Sequence, residues 1–108
     1  MKGYKGFDKD FKCRDKQYEV GKTATHEGEV SLCNSGLHFC ENPLDILKYY
    51  KPVGGRFASL TASGVSDQRE GDSKRVAKSL TIEAELKLPD IITAGVKFVL
   101  DLVKQSKE

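Results

Sequence analysis

The sequence predicts a single α+β domain over residues 1–108, in which an antiparallel sheet built from hairpins carries two helices. Three observations lead to this prediction. Short aromatic-rich segments fill the first part of the chain, two longer segments near the middle alternate between polar and apolar residues, and helix signals follow each of these regions. A chain of 108 residues builds only a modest core, which a bound metal would stabilise.

The N-terminal part predicts short strands separated by turns. Three aromatic-rich segments, bounded by charged or glycine-containing turns, cover residues 4–7, 11–14 and 17–20. Two further segments, 29–33 and 36–40, flank Asn34-Ser35-Gly36, whose residues favour a tight reversal. The sequence therefore predicts a hairpin between these two segments, with Leu37 and Phe39 facing the core.

The first helix is predicted directly after this hairpin. Asn42 is a favourable N-cap, Pro43 suits the first helical position, and Asp45 places a negative charge in the first turn. Tyr49-Tyr50 complete the helix, because Pro52 and the glycines that follow it do not continue a helix.

Two longer strands follow and are predicted to pair as a hairpin. Residues 56–63 and 76–86 both alternate apolar with polar residues, and the second segment has the cleanest period of two in the chain. The charged segment 66–75 between them is predicted to be a solvated loop. Because charges at an interface rim steer association, this loop is also the predicted contact for a foreign protein, through Arg69, Glu70, Lys74 and Arg75.

The last element is predicted to be a helix that begins at Pro89 and Asp90. Its apolar residues cover more than the arc of about 100° that is typical of a surface helix, and Thr93, Lys97 and Asp101 belong to a narrow polar stripe. Two explanations remain open. The helix is buried on both flanks, or part of it faces a partner or a second copy, which would make the protein a homodimer.

Two cysteines and a histidine around the predicted hairpin turn indicate a metal site. In that hairpin Cys33 and His38 would lie opposite each other, with Cβ atoms about 5 Å apart, and Cys40 would share a face with His38. Tetrahedral zinc binds such ligands, so Cys13 is the predicted fourth ligand and His26 the reserve. Two alternatives stay open: the cysteines are small buried hydrophobic residues, or two of them form a disulfide and leave one free.

The composition restricts the class of protein. Lys and Arg total 18 against 16 Asp and Glu, so the net charge of +2 is far from that of a dedicated nucleic-acid binder. We therefore expect no direct contact with nucleic acid. No apolar run approaches the length of about 18 residues that a membrane span requires, and the lysine-rich start lacks the apolar region of a signal peptide. The sequence thus predicts a cytoplasmic protein without membrane contact.

The segment 36–39, followed by a helix that ends in Tyr49-Tyr50, resembles the Gly-Ile-Tyr-Phe strand and following helix of ADP-ribosyltransferases of the polymerase type. The resemblance implies that His38 takes the place of the aromatic residue that stacks on nicotinamide. It also implies a ribose contact and a catalytic carboxylate, supplied by Tyr4 or Lys5 and by Glu83 or Glu85. An enzyme that uses NAD is therefore the alternative function.

A second resemblance covers more of the chain. Residues 1–13 (MKGYKGFDKDFKC), 36–45 (GLHFCENPLD) and 49–50 (YY) resemble a family of small phage and prophage proteins. Such proteins include inhibitors of bacterial defence, among them anti-CRISPR proteins against Cas9, and some contain zinc. The resemblance implies a phage-encoded protein that acts in the host cell.

These observations together predict a non-enzymatic, zinc-containing protein that inhibits a host defence protein by occluding it, with a CRISPR effector such as Cas9 as one candidate. The sequence carries no glycine-rich phosphate loop, no His-Glu-x-x-His and no Gly-x-Ser-x-Gly, and occlusion needs only a rigid contact surface. A structural or virion-associated domain is the third interpretation.

Overall fold

Seven β-strands, one 3-10 helix and one α-helix make up the parts of the chain described by a computed structural model, which are residues 1–32, 35–50, 53–68 and 72–106. The strands are β1 (Lys2–Phe7), β2 (Lys12–Cys13), β3 (Lys16–Gln17), β4 (Thr23–Thr25), β5 (Leu37–Cys40), β6 (Arg56–Val65) and β7 (Lys74–Leu86). The 3-10 helix spans Pro43–Lys48 and α1 spans Leu88–Ser106.

Four of the strands close into a ring. β5 pairs with β7 and β1, and β6 pairs with the other edges of β1 and β7, all of them antiparallel. β4 adds to β7 beyond the end of β5, and β2 and β3 form a separate small hairpin. The architecture is therefore a mostly antiparallel sheet with two helices, which confirms the predicted α+β class.

The larger of two core clusters fills the interior of this ring, and the second joins the sheet to the two helices through Ile46, Phe57 and Ile91. Phe7, Leu60, Leu80 and Ile82 are fully buried, as expected for strands whose apolar residues recur with a period of two. The ring of Phe7 also contacts that of Phe11, with centroids 4.3 Å apart. The predicted long hairpin is confirmed as β6 and β7, with a register shift between Ser59 and Leu60.

The predicted hairpin between 29–33 and 36–40 is wrong. Only a bridge between Ser31 and Ser35 joins these regions in the described part of the chain. β5 instead lies between β1 and β7, because this position buries Leu37 and Phe39 in the core, as predicted, to 6% and 2% exposure. The residue opposite His38 is therefore Val76 of β7.

The 3-10 helix has the predicted cap but a tighter geometry than an α-helix. The backbone N–H of Leu44 donates to Oδ1 of Asn42 at 3.0 Å, with Pro43 at the first helical position. Asp45 in the first turn accepts hydrogen bonds from the backbone N–H and the hydroxyl of Ser73, at 3.0 and 2.7 Å. These bonds hold the helix against the start of β7.

The helix α1 contacts the rest of the domain mainly through its first two turns. Ile91 is fully buried, and Gly95 allows a close approach, because a Cβ there would lie 2.4 Å from Cγ of Leu44. Six apolar residues of α1, from Ile92 to Val103, are between 44% and 59% exposed, so burial on both flanks is wrong. No helix in the described ranges is long and apolar enough to cross a bilayer.

Candidate ligand-binding site

A cavity of about 250 Å³ lies between β1, β5 and the 3-10 helix. Its lining combines tyrosine rings with basic side chains. The tyrosines are Tyr4, Tyr49 and Tyr50, and the basic residues are Lys5, Arg14 and Lys74. No carboxylate belongs to the lining among the residues that the structure describes. The lining is therefore basic and partly aromatic, and Asp72, which accepts a hydrogen bond from the Tyr49 hydroxyl, lies beside it.

Lys5 is the most unusual residue of the lining. It shares a face of β1 with the core residue Phe7, is 6% exposed, and donates a hydrogen bond from Nζ to the carbonyl oxygen of His38. Its ammonium lies 5.6 Å from the ring centroid of Tyr18. Burial lowers the pKa of Lys5, and the neighbouring Cys13 partly opposes this shift. Within the described ranges, no carboxylate forms an ion pair with Lys5.

The thiols at the cavity have distinct environments. The hydroxyl of Tyr50 donates to Sγ of Cys13 at 2.8 Å. Cys40 is 3% exposed, and burial, with a smaller contribution from Asp72 and Asp45, raises the pKa of its thiol to about 12. Cys40 is therefore a neutral thiol at physiological pH, as expected for a small buried residue.

Gly6 allows the ring of Tyr50 to pack directly on β1. A Cβ on Gly6 would lie 2.5 Å from Cδ2 of Tyr50, so only the absence of a side chain allows the ring to pack on the strand backbone. The same contact places the Tyr50 hydroxyl at Cys13.

The part of the chain that forms the cavity matches a known family of domains. Residues 1–94 match the model of a domain of unknown function, DUF7666. The chain belongs to the DUF7666 family. No curated protein and no solved structure matches it. The match includes every lining residue of the cavity and ends within the second turn of α1, so most of that helix lies beyond the DUF7666 match.

The predicted zinc ligands come together in part. Cys13, His38 and Cys40 line the same cavity of this DUF7666 domain, and His38 and Cys40 share a face as predicted. Within the ranges given above, no group of three or more potential ligands is arranged to hold a metal. Cys33 lies outside the described residues, and the reserve ligand His26 lines a neighbouring cavity of about 650 Å³. Zinc therefore stays a prediction.

Elemental analysis of protein purified without chelator tests this prediction. About one zinc ion per chain is expected if the four predicted ligands bind it. Cys40→Ser should then lose the metal and much of the stability, because metal binding is coupled to folding. His26→Ala is the matched control and should keep the metal. Metal-free wild-type protein would reject the zinc site.

The predicted protein-contact residues have different surroundings. Arg69 and Glu70 lie outside the described residues. Lys74 lines the cavity, with its ammonium 4.8 Å from the ring centroid of Tyr49. Arg75 is 4% exposed and pairs with Glu41 at 3.2 Å, so it does not provide surface charge. Arg75 is buried because it lies on the strand β7 and not in the loop.

Some of the residues implied by the ADP-ribosyltransferase resemblance lie at the cavity and others do not. Those expected to contact a nicotinamide nucleotide, namely Tyr4, Lys5 and His38, share the cavity, and so do Tyr49 and Tyr50 at the end of the helix. The two candidate carboxylates are engaged elsewhere. Glu83 accepts a hydrogen bond from the hydroxyl of Thr61, and Glu85 forms a two-point ion pair with Arg56 at 2.6 and 2.8 Å.

Sequence reasoning missed that Lys5 is buried and that Arg14 belongs to the site. One available signal was the pair of glycines in β1, since glycine inside a strand often marks a close approach. At Gly3 the neighbour is the ring of Phe39, and at Gly6 it is the ring of Tyr50.

Proposed function

We propose that this DUF7666 domain is a non-enzymatic binding protein whose cavity holds a small anionic ligand with an aromatic ring. The observation that carries the proposal is the burial of Lys5 in the cavity wall. A buried ammonium without a counter-charge costs folding free energy. An anionic ligand would supply that counter-charge, which gives the buried lysine a function.

The rest of the lining supports the same class of ligand. Arg14 and Lys74 add two positive charges, and guanidinium groups bind phosphate through paired hydrogen bonds. Tyr4 and Tyr49 offer rings on which a planar heterocycle can stack. The volume of about 250 Å³ is near the lower limit of ligand pockets, which favours a mononucleotide or a smaller molecule.

Nicotinamide mononucleotide is the most informative probe, because it combines an aromatic ring with a phosphate. It also belongs to the class of ligand that the ADP-ribosyltransferase resemblance implies. The engagement of Glu83 and Glu85 away from the cavity supports binding without group transfer. An NAD-dependent transferase remains the alternative, and it would require a different carboxylate.

Titration calorimetry with nicotinamide mononucleotide and with NAD tests the proposal. Lys5→Met should weaken binding about 10- to 100-fold, because a hydrogen bond to a charged group contributes about 1.5–3 kcal/mol. Lys2→Met, at the exposed start of the same strand, is the matched control and should bind as the wild type does.

Chromatography of the same mixtures separates binding from catalysis. Unchanged NAD after prolonged incubation supports a binding protein, whereas release of free nicotinamide would replace the proposal with the transferase alternative. Failure of both nucleotides and of inorganic phosphate to bind would overturn the ligand site.

Occlusion of a host defence protein is a second proposal, and the resemblance to small phage proteins carries it. Under this proposal the domain acts stoichiometrically and comigrates with its target, for which Cas9 is one candidate. Of the four predicted contact residues, Lys74 is the one described residue that is not buried. The interpretation as a structural or virion-associated domain predicts neither ligand binding nor inhibition.

A further inference from the structure

One side of α1 carries apolar side chains that the rest of the described chain does not cover. The outer stripe consists of Ile92, Val96, Val99 and Val103, which are 44–53% exposed. The successive spacings of four, three and four residues place them along one side of the helix. Ile91 and Gly95, which pack on the domain, lie on a neighbouring side.

The spacing of the outer stripe is that of a helix–helix seam. Alternating steps of four and three residues define the a and d positions of a coiled coil, and all four residues of the outer stripe are apolar, as these positions require. Leu100 and Leu102, which are 59% and 49% exposed, occupy the two positions that flank the seam. A stripe of this kind is complementary to another helix with the same spacing.

A second copy of this chain would provide that helix. In an antiparallel pair, Ile92 of one copy would lie opposite Val103 of the other, and Val96 opposite Val99, so all four residues find apolar partners. Burial of the six half-exposed side chains on each copy would remove on the order of 1,000 Å² of surface in total, which is about the minimum for a biological interface.

The position of the domain along the helix favours the antiparallel orientation. The 19 residues of α1 extend about 28 Å, and the domain covers mainly the first two turns. A parallel pair would crowd two domains at one end, whereas an antiparallel pair separates them. Antiparallel helix dipoles also attract each other.

We propose that two copies of this chain associate through an antiparallel pair of α1 helices along the outer stripe. The proposal is independent of the ligand site, because α1 supplies no residue to the cavity lining. The part of α1 from Gly95 onward lies beyond the DUF7666 match, which therefore includes Ile92 and leaves out the other three residues of the outer stripe.

Sedimentation equilibrium over a wide range of concentrations tests the association. The wild type should dimerise. Val96→Asp should be monomeric, and its far-ultraviolet circular dichroism spectrum should keep the contribution of the sheet. Lys97→Asp, at the adjacent polar position, is the matched control and should dimerise normally. Val99→Ser gives a second, milder variant if Val96→Asp does not fold. A wild type that stays monomeric would overturn the proposal and leave the stripe for a foreign protein.

Pairs of variants with opposite charges test whether the two helices are antiparallel. Mixing Val96→Asp with Val99→Lys should restore a heterodimer in the antiparallel pair, because these positions face each other there. Restoration by Val96→Asp mixed with Val96→Lys would indicate a parallel pair and contradict the proposed geometry.

Discussion

Arg75→Ala should destabilise the domain by about 3 kcal/mol, the lower end of the range for removing one partner of a buried ion pair. The guanidinium donates to Oε2 of Glu41 at 3.2 Å and to the carbonyl oxygen of Ser66 at 2.9 Å. Glu41 retains about a quarter of its side-chain exposure, which limits the loss. Arg75 thus joins the end of β6 to the start of β7 and to the residue after β5.

Urea denaturation measures this effect. Arg75→Met should lose less stability, because it keeps the apolar stem that packs in the interior. Lys87→Ala, at an exposed position after β7, is the control and should change the free energy of unfolding by less than about 0.5 kcal/mol. An Arg75→Ala protein as stable as the wild type would restore the prediction that Arg75 is a surface contact.

Lys5→Met should have the opposite sign and stabilise the domain by about 1–3 kcal/mol at neutral pH, because it removes a buried ammonium that no carboxylate of the described residues pairs. The pH dependence provides the sharper test. Because burial lowers the pKa of Lys5 in the folded state, the unfolded state binds more protons over the interval up to the ordinary value of 10.5. The wild type therefore gains stability from Lys5 as pH rises through that interval, and the variant does not.

Denaturation at a series of pH values in both proteins measures this difference. The difference between wild type and variant cancels the titrations of Tyr18 and Tyr50, whose pKa values burial raises and which oppose the trend in alkaline solution. The stabilising effect of Lys5→Met should therefore shrink as pH rises. A constant difference, or a less stable variant at neutral pH, would show that the buried ammonium does not cost folding free energy.

The sequence predicted elements whose signals are local. β6 and β7 were predictable because their alternation continues over many residues, and Asn42 because capping needs only the adjacent turn. The partners of β5 were not predictable in this way. Strand pairing depends on which distant segments compete for the same edge, and burial of Leu37 and Phe39 between β1 and β7 prevailed over the nearby hairpin.

Only some residues of the candidate site could be predicted from the sequence. Cys13, His38 and Cys40 were chosen as ligands for one centre, and the structure places all three at one cavity. The burial of Lys5 and Arg75 could not be predicted, because charged residues in alternating segments normally face water. Their burial follows from the closure of the sheet, which leaves β1 and β7 covered by other elements.

The N-terminal strand has a further consequence for how the chain reaches this fold. β1 pairs with Cys40 on one edge and with residues 56–61 on the other, and β7 completes the ring. Contacts between such distant residues slow folding, because long loops must close before the pairing compensates for them. During synthesis, β1 therefore cannot complete its pairing before β5 and β6 are made, and the ring can close only after the residues of β7 that pair with both β5 and β6 have left the ribosome.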